Sequence, residues 1–493
     1  MKNLNFIKYA LSLSFCLMIT FTTYSQLQNA NWYFGNQTGL NFNDGTSSPT
    51  ILDDGVMNTI GGSVTVSDEY GNLLFYTNGV NVWNRDHQIM PDGSGLNGSA
   101  TVSQSVVVLQ EPNDNSKYYI VTNQGLETGS NGLSYSYLDT DAEDQLGNVD
   151  AAQKNVQLLP YASEKLTAVF NPDDSTYWLI SFAPSTDPTV SDTFYSFKVD
   201  GSGINLATQS TFSFRHLPNK TFSGGQMKIS PDLETIAMVH NTASTHARYG
   251  LQGCQSLYTF DFDDETGEVS ALKESFMVAD LNYFGLEFSP NSDFLYVSTT
   301  HEFSDLSVYP IVESEVGRIH QIFYKDIGQV NPGCSTLIYE GPDPIYSMQL
   351  GLYRKIYVVN SSGNLSTINA PDSPGILANY IHESIDLTGK AMKGLPQLVP
   401  YNNIVGESAD TKVYTILNNP FNAVLNLQFH VKGRFKLRLY DIFGKKVKED
   451  DAGIKIKNQI IKIKADSFSP GIYFLHIKDV DNNKWSDVLI KNH

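Results

Sequence analysis

The sequence is short of cysteine, of cations and of long apolar runs, and each shortage removes a class of protein. Three cysteines in 493 residues are too few to staple a small secreted scaffold. Lys and Arg number 33 against 52 Asp and Glu, a formal net charge of −19. A surface that acidic repels phosphate backbones, so no nucleic-acid partner is expected. Past the N-terminus there is no long apolar segment, so the mature protein is expected to have no transmembrane segment. Helical periodicity is nearly absent. No nucleophile elbow, phosphate loop or zinc spacing is found, and neither a metal nor a cofactor is expected.

What is present begins with a leader. Lys2 and Lys8 precede the apolar run Ala10 to Phe21, and the small residues Thr23 and Ser25 follow. This is the order of a secretory signal peptide over residues 1–25, with cleavage expected before Gln26. Cys16 then leaves with the leader, and Cys254 and Cys334 remain. They are either joined in a disulfide, which an exported protein can hold, or stand as separate buried thiols. Hydrophobic content of 41% and aromatic content of 12% suffice for a packed core.

Between Gln26 and about Tyr401 the chain repeats itself. "LTAVFNPDDSTYWLIS" from Leu166, "QMKISPDLETIAMVH" from Gln226 and "GLEFSPNSDFLYVST" from Gly285 each read as a strand, a Pro-Asp or Pro-Asn turn and a second strand. Weaker copies start at Ser63, Ser105 and Met348, and "GLPQLVPYN" from Gly394 supplies a seventh first strand without a second. First strands near residues 63, 105, 166, 227, 286, 348 and 397 lie 42 to 62 residues apart, the length of a four-stranded blade with long loops. The orphan near Gly394 needs partners, and "NWYFGNQTGLNF", Asn31 to Phe42, offers two strands. Pairing the ends would close the ring and leave no open edge. The expected fold is all-β: a β-propeller over 26–401, read as seven-bladed with six or eight blades as the alternatives, then a linker over 402–412. "MQLGLYRKIYV" keeps both strands but lacks the turn chemistry of its neighbours.

Residues 411–493 reverse the charge, with 15 Lys and Arg against 8 Asp and Glu; residues 1–410 hold −26, or −28 without Lys2 and Lys8. "LNLQFHV", "FKLRLYD" and "IIKIKAD" alternate apolar with polar or basic side chains, as half-buried antiparallel strands do. A small Ig-like β-sandwich over 413–493 follows, with its positive excess on an exposed sheet surface.

Two resemblances rest on these residues. "NWYFGNQTGLNF", "DEYGNLLFYTNGVNVWNRDHQIMPDGSGL", "EKLTAVFNPDDSTYWLI", "RKIYVVNSSGNLSTINAPDSPG" and "GLPQLVPYN" resemble a group of secreted propeller proteins of gliding and biofilm-forming Gram-negative bacteria. "NNPFNAVLNLQF", "LRLYDIFGKKV" and "FSPGIYFLHIKD" resemble the type A C-terminal sorting domain of type IX secretion cargo. The second resemblance assigns the sorting signal to Pro420, Asp441, Gly444, Pro470, Gly471 and Tyr473, with Asn418 where a first Pro is usual. It implies passage through the periplasm, recognition by the type IX secretion machinery and removal of the tail. The body would then be secreted or attached to the outer-membrane surface.

Chemistry is harder to place. Asp139 to Asp150 carries carboxylates at alternate positions but lacks the glycine and terminal Glu of a calcium loop, and a blade-to-blade turn is expected. His240, His246 and Arg248 lack metal-pair spacing. Arg85, Asp86 and His87 could support acid–base work, with local hydrogen bonding the plainer role. Propeller geometry makes the starts of the inner strands converge at one channel mouth. Gln104, Glu164, Lys165, Gln226, Glu287, Gln349 and Gln397 are the candidate ligand residues there. The expectation is a non-enzymatic binding or adhesion module for an unknown surface glycan or protein. A propeller enzyme of lyase, lactonase or glycosidase type, and a structural component of surface matrix or gliding machinery, are the alternatives.

Overall fold

The computed structural model describes residues 24–491 apart from 44–47, 113, 126–130, 172–173, 187–190, 215–223, 241–255, 276–280, 305–311, 315, 325–334, 400–412, 419–420, 431, 442–445, 455–458 and 480–483. Cys254 and Cys334, His246 and Arg248, and the leader up to residue 23 lie outside the described residues.

Six antiparallel sheets follow one another along residues 64–385, each built mainly from consecutive strands. Their innermost strands are Val64–Ser67, Val106–Glu111, Leu166–Asn171, Met227–Ile229, Leu281–Phe288 and Ile345–Leu350, within a few residues of the starts read from the repeat. The seventh sheet is N-terminal and three-stranded: Asn31–Phe34, Thr38–Asn41 and Thr50–Leu52. Together they form a seven-bladed β-propeller, in which each meander is local in sequence and its faces are buried against the next blade.

The repeat's turn residues act as their chemistry dictates. Ser230 Oγ donates to Asp232 Oδ1 at 2.6 Å and accepts from Thr235 N. One blade later Ser289 Oγ donates to Asn291 Oδ1 at 2.7 Å and accepts from Phe294 N. Where that chemistry is missing, Gly351 N donates to Lys355 O and Arg354 takes the left-handed conformation at φ 56°. An ion pair to Asp372 at 2.8 Å secures the Arg354 side chain.

Apolar clusters fill the spaces between blades. Fully buried Trp32 of the N-terminal sheet meets Tyr357 of the sixth blade at 5.3 Å between ring centroids. On the other side of that sheet Tyr33 stacks on Tyr76 of the first blade at 4.6 Å. The N-terminal sheet is thus wedged between the last blade and the first, as closure requires.

The C-terminal part of the closure differs from the expected pairing. Residues 394–399 do not join the N-terminal sheet as a regular strand. Asn36 and Lys390 exchange backbone hydrogen bonds, after which the chain turns to the start of the first blade: Gly394 N donates to Ile60 O and Gln397 N to Ser63 O. Pro396 has no N–H to give a ladder. Val399 ends among the apolar side chains of the second and third blades. Gly394 is needed here, because a Cβ would sit 2.0 Å from Gly61 O. Gly394→Val should therefore lower stability by about 1–3 kcal/mol, measured as an earlier midpoint in urea unfolding.

A small β-sandwich follows in sequence. Tyr414–Ile416, Val424–Phe429 and Gln459–Lys464 form one sheet. Gly433–Asp441, Lys446–Ile454, Gly471–Asp479 and Lys484–Lys491 form the other. Leu425, Leu427, Phe429, Leu437, Leu439, Leu475 and Ile477 are buried between them, the apolar half of the alternation read from the sequence.

Candidate functional site

The loop leading into each inner strand hydrogen-bonds to the loop of the next blade, and the links run round the whole ring. Gly61 N donates to Ala100 O at 2.8 Å. Ser103 N donates to Glu164 Oε2 at 3.0 Å, Lys165 Nζ to Gly225 O at 2.8 Å, and Gln226 N to Phe284 O at 2.9 Å. Gly285 N donates to Ser298 Oγ, which donates to Tyr346 O at 2.7 Å. Ser347 N donates to Lys393 O, and Lys393 N returns to Ile60 O at 2.9 Å. The circuit passes once through each of the six blades of residues 64–385 and closes through Lys393 of the C-terminal segment, and the glycines in it let backbones approach where a Cβ would collide. A Cβ on Gly285 would lie 2.2 Å from Tyr346 O.

Inside that ring the polar side chains singled out from the sequence converge on the axis. Gln104 crosses from the second blade to the fourth: its Nε2 donates to Met227 O and its Oε1 accepts from Met227 N, at 2.9 and 2.8 Å. Gln226 repeats the device from the fourth blade to the sixth, accepting from Met348 N and Leu286 N at 3.1 Å each. Below them Lys228 donates to Gln349 Oε1 at 2.6 Å and lies 3.2 Å from Glu287 Oε2, which also accepts from Leu350 N. Gln104, Lys165, Gln226, Glu287, Gln349 and Gln397 are all buried, and Glu164 is half-buried. Gln397 stands apart from this network, lining a pocket of about 30 Å³ with Gln28, Asn29, Ser67, Gln110 and Val399. Such a volume is water-sized.

Lys228 was not among the residues singled out, although a lysine inside the apolar strand "QMKIS" was a visible signal. The other residues missed are on the rim. Phe284 and Tyr346 are half-buried, Lys393 is exposed, and Ile60 and Tyr161 are 40% and 47% exposed. Their signal was position, since Phe284 and Tyr346 lie in the first half of inner strands, Ile60 and Tyr161 lie shortly before them, and Lys393 precedes Gly394, the expected seventh start.

The remaining candidates sit elsewhere. His87 Nε2 is 3.4 Å from Asp54 Oδ2, and its Nδ1 is 3.2 Å from the Tyr76 hydroxyl. Tyr33 donates to Asp54 Oδ1 at 2.7 Å. Burial pushes the Tyr76 hydroxyl up to about 12, and burial with the Asp54 carboxylate raises Tyr33 further. Both phenols therefore stay protonated and act as structural donors. This cluster clips the turn of the first blade to the closing sheet. Asp139 pairs with Lys117, and Asp150 Oδ1 accepts from Ala152 N at 2.9 Å; both act within the blade.

In the tail, Asn418 makes up for the absent proline. Its Nδ2 donates to Val424 O at 2.7 Å and its Oδ1 accepts from Asn426 N at 2.8 Å, holding the strand start. Tyr473, buried and stacked on Phe468, donates to Ser469 O at 2.7 Å and so fixes the Pro470–Gly471 corner. Pro420 and Gly444 lie outside the described residues, as does the Asp441 side chain. The positive excess is divided: Lys446, Lys436 and Arg438 converge on Glu449. The Lys446 hydrogen bond, supported by the other two cations, holds that carboxyl down to about 2. Lys462 and Lys464 are exposed on the opposite sheet.

These features define a β-propeller whose axis is crossed by buried, hydrogen-bonded side chains, joined in sequence to a β-sandwich. Residues 415–492 match the family described as "Secretion system C-terminal sorting domain". The chain is a type IX secretion cargo with a β-propeller body, exported through the periplasm to a secreted or surface-attached state. Among the described residues no helix is long and apolar enough to cross a membrane. No curated protein matches the chain. Among solved structures it is similar to Kuenenia stuttgartiensis hydrazine synthase, at 12% identity and TM-score 0.39, over 69% of this chain and 87% of that one. The Dos1 propeller is 10% identical with TM-score 0.38, over 74% and 86%. PorZ, a surface component of the type IX secretion system of Porphyromonas gingivalis, is 9% identical with TM-score 0.30, over 94% and 69%.

Lys165 gives this site a pH signature. Its complete burial lowers the amine from 10.5 to about 7, against the opposing pull of Glu164. Below about 7 the amine is protonated in the folded and unfolded chains alike. Between about 7 and 10.5 the unfolded chain holds a proton that the folded chain has lost, so stability rises with pH across that window. Urea unfolding at pH 6, 8 and 10 should show wild type gaining on Lys165→Met as pH rises. A constant difference would exclude the coupling. Gln226→Ala, which strands buried donors at Leu286 and Met348, should cost at least about 2 kcal/mol in the same assay.

Proposed function

We propose that the propeller is a non-enzymatic binding or adhesion module, presented outside the cell after export, with its ligand surface on the rim of the lead-in loops. The observation that supports this is the composition of that end of the channel. Amides, glycines, aromatics and the exposed Lys393 line it, and among the described residues no histidine lies in the lead-in loops. Its carboxylate Glu164 accepts from Ser103, and its buried amine Lys165 donates to Gly224 and Gly225. Acid–base catalysis asks for a proton-transfer group within reach of a substrate. The His87–Asp54 pair lies in an outer turn of the first blade, away from this end.

Delivery rests on the tail together with the leader over residues 1–25, which we take as a signal peptide removed before Gln26. The linker over 402–412 is the proposed place for tail removal.

Two experiments test these statements. The mature chain, labelled and applied to an array of surface glycans and surface proteins, should show saturable binding to at least one class. Silence across the array, combined with turnover of a lactone or glycoside, would replace the binding reading with an enzymatic one. Deleting residues 413–493 should leave a folded propeller in the periplasm of a secretion-competent cell; its arrival at the surface would refute the delivery role of the tail.

A further inference from the structure

The end of the channel at which the inner strands begin is not uniform around its rim. On the side of the fifth, sixth and seventh blades three side chains stand together. The rings of Phe284 and Tyr346 meet edge to face at 5.6 Å between centroids and 77°. Lys393 Nζ lies 5.4 Å from the Tyr346 ring centroid. The backbone of Lys393 is locked between Ser347 and Ile60, so the base of the side chain is fixed while its charge is exposed. Ile60, 40% exposed, continues the apolar surface toward the first blade. Gly285 and Gly394 flank the group, so beside it the floor is bare backbone.

From this geometry we propose that Phe284, Tyr346, Lys393 and Ile60 form a saccharide subsite for a pyranose carrying a carboxylate, that is, a uronate unit of a glycan. The inference rests on the binding-module reading above and gives it a place and a ligand class. Held nearly perpendicular, the two partly exposed rings form an apolar corner in which one ring face can pack against the C–H face of a sugar ring. An exposed ammonium beside that surface supplies up to three donors and a charge that suits a carboxylate. A dense polyanion is disfavoured, because the body carries −28 once the leader is gone and its field repels chains of phosphate or sulfate. A sparsely charged sugar satisfies both the local cation and the global field. The rigidity of the ring matters here, since the subsite is assembled from three blades whose backbones are already hydrogen-bonded to one another and little ordering remains to oppose binding.

The test uses the full mature chain and two probes of equal length, an oligogalactose ending in a single galacturonate unit and the neutral oligogalactose, titrated calorimetrically at low and physiological salt. Wild type should bind the uronate at least about tenfold more tightly than the neutral sugar, with the preference shrinking as salt rises. Lys393→Met should abolish the preference while leaving neutral-sugar binding in place, and Tyr346→Ala should abolish binding of both. Lys393 is exposed, so its variant keeps the test decisive even if Tyr346→Ala disturbs the fold. Equal binding of both probes by wild type, or variants that bind as wild type does, would overturn the proposal. Failure of both sugars to bind, alongside saturable capture of a protein on the array, would refute the uronate subsite and leave the binding-module reading standing.

Discussion

The hydrogen-bond circuit through the lead-in loops is the constraint on which the rest of this propeller depends. Each blade is a local meander that can form from neighbouring sequence, but a meander alone leaves two apolar faces in water. Only closure buries the faces of the first and last blades, and closure needs chain ends hundreds of residues apart to meet. Ser347, Lys393 and Ile60 make that meeting in backbone hydrogen bonds, and Trp32 and Tyr33 pack on either side of it. Glycines recur in the circuit because backbone must approach backbone; Gly285 and Gly394 have no room for a Cβ. Pairs such as Gln104 with Met227 and Gln226 with Met348 then tie alternate blades across the axis.

Filling the axis has a functional consequence. Side chains that would line an open channel instead satisfy buried backbone groups, a role in which each missing partner carries a full desolvation penalty. What is left at the solvent boundary are side chains whose backbones the circuit fixes but whose tips stay at least partly exposed. Phe284, Tyr346 and Lys393 are of this kind. The residues that hold the ring and the residues that can meet a ligand are neighbours in sequence, Gln226 and Glu287 beside the axis and Phe284 or Lys393 on the rim, yet they do different work.

The tail solves a separate problem with a different economy of charge. Its basic composition does not make a uniformly basic surface, because Glu449 collects Lys436, Arg438 and Lys446 on one sheet. Lys462 and Lys464 stay exposed on the other. Asn418 and Tyr473 show how the sorting fold tolerates variation: one replaces a proline's stiffness with two side-chain hydrogen bonds, and the other pins a corner from within the core.

Much of this was legible beforehand. The period of the repeat placed the inner strands, because a strand–turn–strand unit is specified by local turn chemistry and alternation. The sorting tail was legible for the same reason, as three motifs in order. The axial convergence of Gln104, Gln226, Glu287 and Gln349 followed from their place in the repeat. Their partners did not, since the bonds join residues 60 to about 120 positions apart and no local pattern encodes them. Residues 394–399 were expected to complete the last sheet and instead lie along the first blade, where Pro396 and the close contact of Gly394 with Gly61 decide the path. The sequence by itself determined the class of fold and the route of export, which rest on short-range patterns, while the number of blades was settled by how the N-terminal sheet closes the ring. Tertiary structure alone decided which side chains bond across the axis and which stay exposed on the rim, because both depend on which blades face each other.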